Sequence, residues 1–281
     1  MNFSVSSYSY SKYQNEGHSL WEIIDIASKQ GFDAIEFTDL PEIDGMTEIE
    51  VAKKAKEQCG GLGLAVSAYT VWADFLKGDA EKEAERLKRK LDVCAELGAD
   101  KMRHDATWVK GLDFEEALPK VAKAAAEVAD YAETLGIKTM TENHGMFFQD
   151  SDRMERLFKA VGRDNYGLLI DMGNFLCVDE DPVSAVERLK NYAIHVHAKD
   201  FYIHKGEIAD PKGYYRTRHG NYLKGTVIGR GDVNVYKCLD ILVKNGYDDY
   251  VTVEFEGDED CLPAVKEGLE YLKKTAEKLT L

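Results

Sequence analysis

No stretch of this 281-residue chain is rich in proline, glycine and serine together, so nothing in it marks a linker between domains. Its length fits one large α/β barrel as readily as two small domains, and without a linker one domain over residues 1–281 is expected. No run approaches the ~18 consecutive apolar residues a membrane span needs, and Met1-Asn2-Phe3-Ser4 opens neither the basic nor the apolar region of a secretory leader. A soluble, cytoplasmic protein is the expectation. The five cysteines (Cys59, Cys94, Cys177, Cys238, Cys261) are odd in number and lack CxxC spacing, which speaks against a disulfide framework or a thiolate zinc site and leaves packed thiols. Positive charge is scarce too: 36 Lys and Arg stand against 51 Asp and Glu, a formal net charge of −15. Such a field repels polyanions, so nucleic acid is not an expected partner, whereas a small carbohydrate bound by local groups is. Nothing in the composition sets the oligomeric state; a homo-oligomer is compatible with it.

What the chain does have is a repeated phrase: an amphipathic helix, a glycine, then a short β-branched or apolar run ending in polar residues. It appears as SLWEIIDIASKQ before Gly31 and FDAIEF, as KRKLDVCAEL before Gly98 and ADKMRH, as VADYAETL before Gly136 and IKTMTENH, and as LDILVKN before Gly246 and YDDYVTVEFE; a weaker copy surrounds Gly63. Each glycine stands where a helix needs a left-handed residue before the chain turns into a strand. A capping box of Ser19 and Glu22 opens the helix over Ser19 to Gln30, and Ala84, Leu87, Leu91 and Cys94 share one face of another over Glu83 to Leu97. Further helices are expected near 48–60, 114–135, 151–161, 182–191, 234–245 and 262–279, with strands near 2–8, 33–38, 64–70, 100–104, 137–142, 166–171, 192–198 and 250–255. Eight alternating βα units predict an α/β fold of the (β/α)8 TIM-barrel type, with a doubly wound sheet as the alternative.

Active sites of parallel barrels form at the C-terminal ends of the strands. Here those ends are polar: Glu142, Asn143 and His144 close the fifth strand, Asp171 and Asn174 the sixth, His195, His197, Lys199 and Asp200 the seventh, and Glu254 and Glu256 the eighth. Period-two alternation sends Val251, Val253 and Phe255 toward the helices and Thr252, Glu254 and Glu256 toward the barrel axis. By the same rule Ile194, Val196 and Ala198 face outward while His195, His197 and Lys199 face inward. Several carboxylates aimed into one enclosed space need a compensating cation. Glu142, Asp171, His197 and Glu254 offer three carboxylates and one imidazole to a single divalent ion, a donor set suiting Mn²⁺, Mg²⁺ or Co²⁺ at least as well as Zn²⁺. His144 and His195 either act on substrate or hold a neighbouring ligand by hydrogen bond.

The motifs ENHG at 142–145, DMGNF at 171–175, HVHAKD at 195–200, IGRGDVN at 228–234 and VEFEG at 253–257 together resemble the xylose isomerase-like barrel superfamily, in its order and spacing and over essentially the whole chain. That group holds sugar phosphate isomerases/epimerases, D-tagatose 3-epimerase, inosose dehydratase and endonuclease IV. The resemblance implies that Glu142, Asp171, His197 and Glu254 are metal ligands and that the two glutamates exchange a proton with a substrate carbon across the metal. Many members carry His three residues after the sixth-strand Asp, where this chain has Asn174; in endonuclease IV-like enzymes that His helps build a trinuclear zinc cluster. Asn174, with the acidic charge, speaks against DNA repair.

The expected activity is that of a metal-dependent sugar or sugar phosphate isomerase/epimerase. The ion stabilises a developing enediolate, with Glu142 and Glu254 as base and acid and with His144 and His195 as further catalytic candidates. A lyase acting on a keto-inositol or 3-keto-glycoside is the alternative, and a non-catalytic carbohydrate-binding protein is a third reading. Candidate substrate-binding residues are Trp72, His104, Trp108, Lys199, Arg216, Arg218 and Glu256. Arg216, Arg218, His219 and Lys224 make the segment at 201–228 a candidate lid for a phosphate or carboxylate. GRGD at 229–232 is either a phosphate loop or a turn before a helix.

Overall fold

The computed structural model describes residues 1–109 and 111–279. In chain order the described strands are β1 (Asn2–Ser6), β2 (Ala34–Thr38), β3 (Ala65–Val71), β4 (Lys101–His104), β5 (Lys138–Glu142), β6 (Tyr166–Asp171), β7 (Ala193–Ala198), β8 (Asp200–His204), β9 (Tyr215–Arg216), β10 (Tyr222–Thr226) and β11 (Tyr250–Val253). The helices are α1 (Ser11–Asn15), α2 (Leu20–Gln30), α3 (Glu48–Leu62), α4 (Ala80–Leu97), α5 (Phe114–Thr134), α6 (Ser151–Val161), α7 (Pro182–Leu189), α8 (Val235–Lys244) and α9 (Cys261–Leu279). Eight parallel strands close in the order β1-β11-β7-β6-β5-β4-β3-β2, giving the expected (β/α)8 barrel. Among the described residues no helix is long and apolar enough to cross a membrane.

Local chemistry explains the element ends. Ser19 and Glu22 form the reciprocal capping box that starts α2, and Gly31 ends it at φ 84°, a conformation costly to any residue bearing a Cβ. The apolar faces of the helices meet the outward residues of the strands: Ile23 and Ile24 of α2, Leu87 and Leu91 of α4, and Val251 and Val253 of β11 all belong to one continuous core. Truncating any of these isoleucines or leucines to alanine would cost about 2–5 kcal/mol.

Two expectations change. Ile194 does not face the helices; it packs with Ala68, Met140 and Leu169, and Met140 and Leu169 share the inward parity of Glu142 and Asp171. The cause is a β-bulge: Leu168 pairs with Ala193 but Leu169 pairs with His195, so Ile194 is an extra residue and alternation is interrupted there. Gly167 makes the room, since a Cβ at that position would lie 2.7 Å from Ile194. The segment at 201–228 is likewise more than a loop, because β8, β10 and β9 form a three-stranded antiparallel sheet beside the mouth.

Candidate metal centre and active site

Four strand ends deliver Glu142, Asp171, His197 and Glu254 to one point, where one ligand atom from each lies within 4.8 Å of all the others. Asp171 is held by its own turn: Oδ1 accepts hydrogen bonds from the backbone N–H of Gly173 (2.8 Å) and Asn174 (2.9 Å), while buried Oδ2 has no hydrogen-bond partner. Gly173 cannot be larger there, since a Cβ would stand 2.9 Å from the Lys199 carbonyl. His197 Nε2 donates to Glu36 Oε2 at 2.8 Å. The other ring nitrogen, Nδ1, is buried without a hydrogen-bond partner among the described residues, 3.3 Å from Glu254 Oε2 and 3.9 Å from Asp171 Oδ2. An imidazole nitrogen turned toward carboxylates, beside an Asp171 oxygen that makes no hydrogen bond among the described residues, fits a divalent cation, and the carboxylate behind the imidazole is the usual support of a metal-bound histidine.

Protein cations neutralise part of the same cluster. Lys199 Nζ lies 2.6 Å from Glu254 Oε2, 3.2 Å from Asp171 Oδ2 and 3.2 Å from Glu256 Oε1. Arg103 Nε donates to Glu142 Oε2 at 2.6 Å, and its guanidinium also approaches Asp105 at 3.3 Å. Asn174 Nδ2 donates to the other Glu142 oxygen at 2.9 Å. Five carboxylates (Glu142, Asp171, Glu254, Glu256 and Asp105) thus share these two cations. Burial pushes Asp171 up to about 7, with the neighbouring Glu254 and Glu142 carboxylates adding to the rise and Lys199 and His197 opposing it. Burial also opposes ionisation of Glu254, but Lys199 and His197 outweigh it and hold that carboxyl well below its usual range.

Above the cluster opens a cavity of about 490 Å³, lined by Glu142, His197, Lys199, Glu254 and Glu256 on its floor and by Trp72, Trp108, Tyr8 and Tyr215 toward solvent. His144 lines the wall, with Nδ1 3.0 Å from Asp105 Oδ1. Burial would lower the His144 pKa, but its hydrogen bond to Asp105 and the charge there raise it overall.

A family model for the xylose isomerase-like TIM barrel matches residues 24–275. This chain belongs to the xylose isomerase-like TIM barrel family. Inosose dehydratase of Lactiplantibacillus plantarum is 30% identical over half of this chain and 47% of its own length. The rhizopine catabolism protein MocC of Rhizobium meliloti is 25% identical over 86% of this chain and 83% of its own. The chain spans about half the length of several of the curated relatives it matches. Among solved structures, the IolI protein with a bound zinc atom superposes at a TM-score of 0.78, with 18% identity, over 99% of this chain and 98% of that one.

Within this family barrel, not every residue singled out in the sequence reaches the mouth. Glu142, His144, His197, Lys199, Glu254, Glu256, Trp72 and Trp108 line the cavity, and Asp171 lies fully buried beside it. His195 is a layer deeper: its Nε2 meets Glu36 Oε2 at 3.0 Å and Thr252 Oγ1 at 2.9 Å, and it does not line the cavity. His104 faces away from the axis, edge-on to Phe75 at 5.4 Å, donating from Nδ1 to the Asp105 carbonyl; burial holds it down to about 4. Its neighbour Arg103 takes the inward place. Arg216 and Arg218 line an adjoining cavity instead of the mouth, His219 pairs with Asp179, and Lys224 with Asp258. GRGD is no phosphate loop: the Asp200 carboxylate already accepts the N–H groups of Gly229 (2.9 Å), Gly231 (2.9 Å) and Val233 (3.1 Å).

Arg103, Asp105 and Glu36 were not singled out, although alternation marks two of them. In KMRH the apolar Met102 points to the core, so Arg103 points inward and His104 outward; in AIEF, Ile35 and Phe37 leave Glu36 inside.

Proposed function

We propose that this protein removes a proton next to a carbonyl of a keto-sugar or keto-inositol, using a divalent metal ion held by Glu142, Asp171, His197 and Glu254, and that the outcome is loss of water. The ion would supply Lewis-acid stabilisation of negative charge developing on substrate oxygens. Three carboxylates and one imidazole favour Mn²⁺, Mg²⁺ or Co²⁺ as that ion.

The observation that carries elimination is the Asp105–His144 pair. His144 Nδ1 lies 3.0 Å from Asp105 Oδ1 and 3.2 Å from an Arg103 guanidinium nitrogen, so the other ring nitrogen, Nε2, of this cavity-lining residue is the one assigned to substrate, as a proton-transfer group separate from the two glutamates. Glu254, held ionised by Lys199, takes the proton as the C–H bond breaks. The electron pair left behind forms the C=C bond while the neighbouring C–O bond breaks, and the departing hydroxyl takes a proton from His144 Nε2 and leaves as water. Glu142 is bound on both oxygens by Arg103 and Asn174 and serves chiefly to hold the ion. The relatives named inosose dehydratase support this order of readings.

Epimerisation or isomerisation is the second reading, supported by Glu142 and Glu254 lining the same cavity. The test is to incubate metal-loaded protein in D₂O with a panel of ketoses, keto-inositols and 3-keto-glycosides. Elimination predicts products lighter by one water with new ultraviolet absorbance; epimerisation predicts deuterium incorporation without that loss. No exchange and no product across the panel would sink both readings.

A further inference from the structure

Beside the mouth lies a second cavity, also of about 490 Å³, lined by Leu112, Met146, Phe147, Arg153, Arg216 and Arg218 among others. Met146 lines both cavities, so they adjoin. Met146 is itself unusual: a non-glycine residue at φ 69°, with its N–H donated to Gln149 Oε1 at 2.6 Å and its carbonyl accepting from Arg218. Backbone strain of this kind persists only where the surroundings enforce it, and it concentrates at binding sites.

The chemistry of this cavity differs from that of the mouth. Its walls are apolar at Leu112, Met146 and Phe147, and the Arg153 guanidinium lies 4.8 Å from the Phe147 ring centre and 5.0 Å from that of Phe114. Two of the three guanidinium groups share the Asp150 carboxylate, which binds Arg218 at 3.0 Å and lies 3.6 Å from Arg153, while Asp179 accepts from the lining Thr217 hydroxyl at 2.8 Å. Arg216 has no carboxylate within 4.0 Å among the described residues. In a chain of net charge −15, a local positive excess over apolar walls is a recognition feature for an anion with an apolar body. A free sugar would leave those walls unused.

We propose that this cavity is a subsite for an aromatic ring bearing a carboxylate, joined to the polyol that reacts in the mouth: the substrate has two parts. The ring packs on Leu112, Met146 and Phe147 and its carboxylate meets Arg216. The joining of the two parts rests on the proposed function; the binding of the aryl carboxylate does not.

The test separates the two. Benzoate is titrated into the metal-free full chain and followed by NMR, beside inorganic phosphate and benzyl alcohol, with the variants Arg216→Gln and Leu112→Asp and the mouth variant Glu254→Gln. Arg216 and Leu112 are both exposed, so neither substitution threatens folding, and circular dichroism checks this. The expected result is saturable benzoate binding, weakened roughly tenfold by either cavity variant, unchanged by Glu254→Gln and reduced by added salt. Absence of saturable binding, or binding indifferent to both cavity variants, overturns the proposal. Phosphate binding as tightly as benzoate overturns it in favour of a plain oxyanion site, and benzyl alcohol binding as tightly overturns the role of the charge. Benzoate binding as expected, in a protein that shows no exchange chemistry, would retain the subsite and discard the proposed function.

Discussion

Glu36 accepts a hydrogen bond from His197 Nε2 at 2.8 Å, and this contact decides which face of the imidazole points at Asp171 and Glu254. Both residues are buried, so water does not compete for the bond. Glu36→Gln replaces an obligate acceptor with an amide able to present either end, and loosens the choice of tautomer. Metal affinity should fall roughly 10–100-fold, read by calorimetric titration, with the folded state retained. Unchanged affinity would remove Glu36 from the account.

Arg103 and Glu142 are a buried ion pair, and removing one partner strands the other. Arg103→Met should destabilise the metal-free protein by about 3–5 kcal/mol in urea unfolding. Adding Glu142→Gln should restore part of that loss, since one of the two carboxylates stranded by the substitution is gone while Asp105 remains. Strictly additive losses in the double variant would show that the two side chains are not coupled.

His144 is assigned the departing hydroxyl and not the carbon proton. His144→Gln should therefore leave solvent deuterium exchange into substrate largely intact while lowering the rate of water loss roughly 10²–10⁴-fold. Equal loss of both would move His144 to the first step.

Asp105 supplies the pH prediction. Burial opposes its ionisation, but the Arg103 charge and the His144 hydrogen bond prevail and hold its pKa at about 2, against an ordinary 3.8. A folded-state value below the unfolded one contributes stability that is complete above pH ~4 and is lost as pH falls toward ~2. The contribution is on the order of 2 kcal/mol. Asp105→Asn should flatten the acid limb of the unfolding curve in that window; an unchanged limb would contradict the assignment.

Much of this was legible in the sequence because one rule, alternation, governs regular strands. It placed Glu254 and Lys199 inside, where the structure finds them 2.6 Å apart. Applied to KMRH and AIEF the same rule yields Arg103 and Glu36, which polar strand ends alone obscure; His104 drew attention by type and faces the wrong way. Ile194 was illegible for a different reason: a bulge inserts one residue without altering composition. The second cavity was hidden because it joins Leu112, Phe147 and Arg216, residues far apart in sequence. Asp200 capturing the GRGD amides is long-range in the same sense.

Binding of one divalent ion by the four strand ends can be measured outright. The most direct measurement is elemental analysis of the full chain after reconstitution with Mn²⁺ and exhaustive dialysis, wild type beside Asp171→Asn. One ion per wild-type chain and a large loss in the variant are expected, because Asp171 Oδ2, which makes no hydrogen bond among the described residues and lies 3.2 Å from Lys199 Nζ, is the oxygen proposed to meet the ion. Wild-type protein that retains no ion under any divalent metal tried, or a variant that retains as much as wild type, would contradict it.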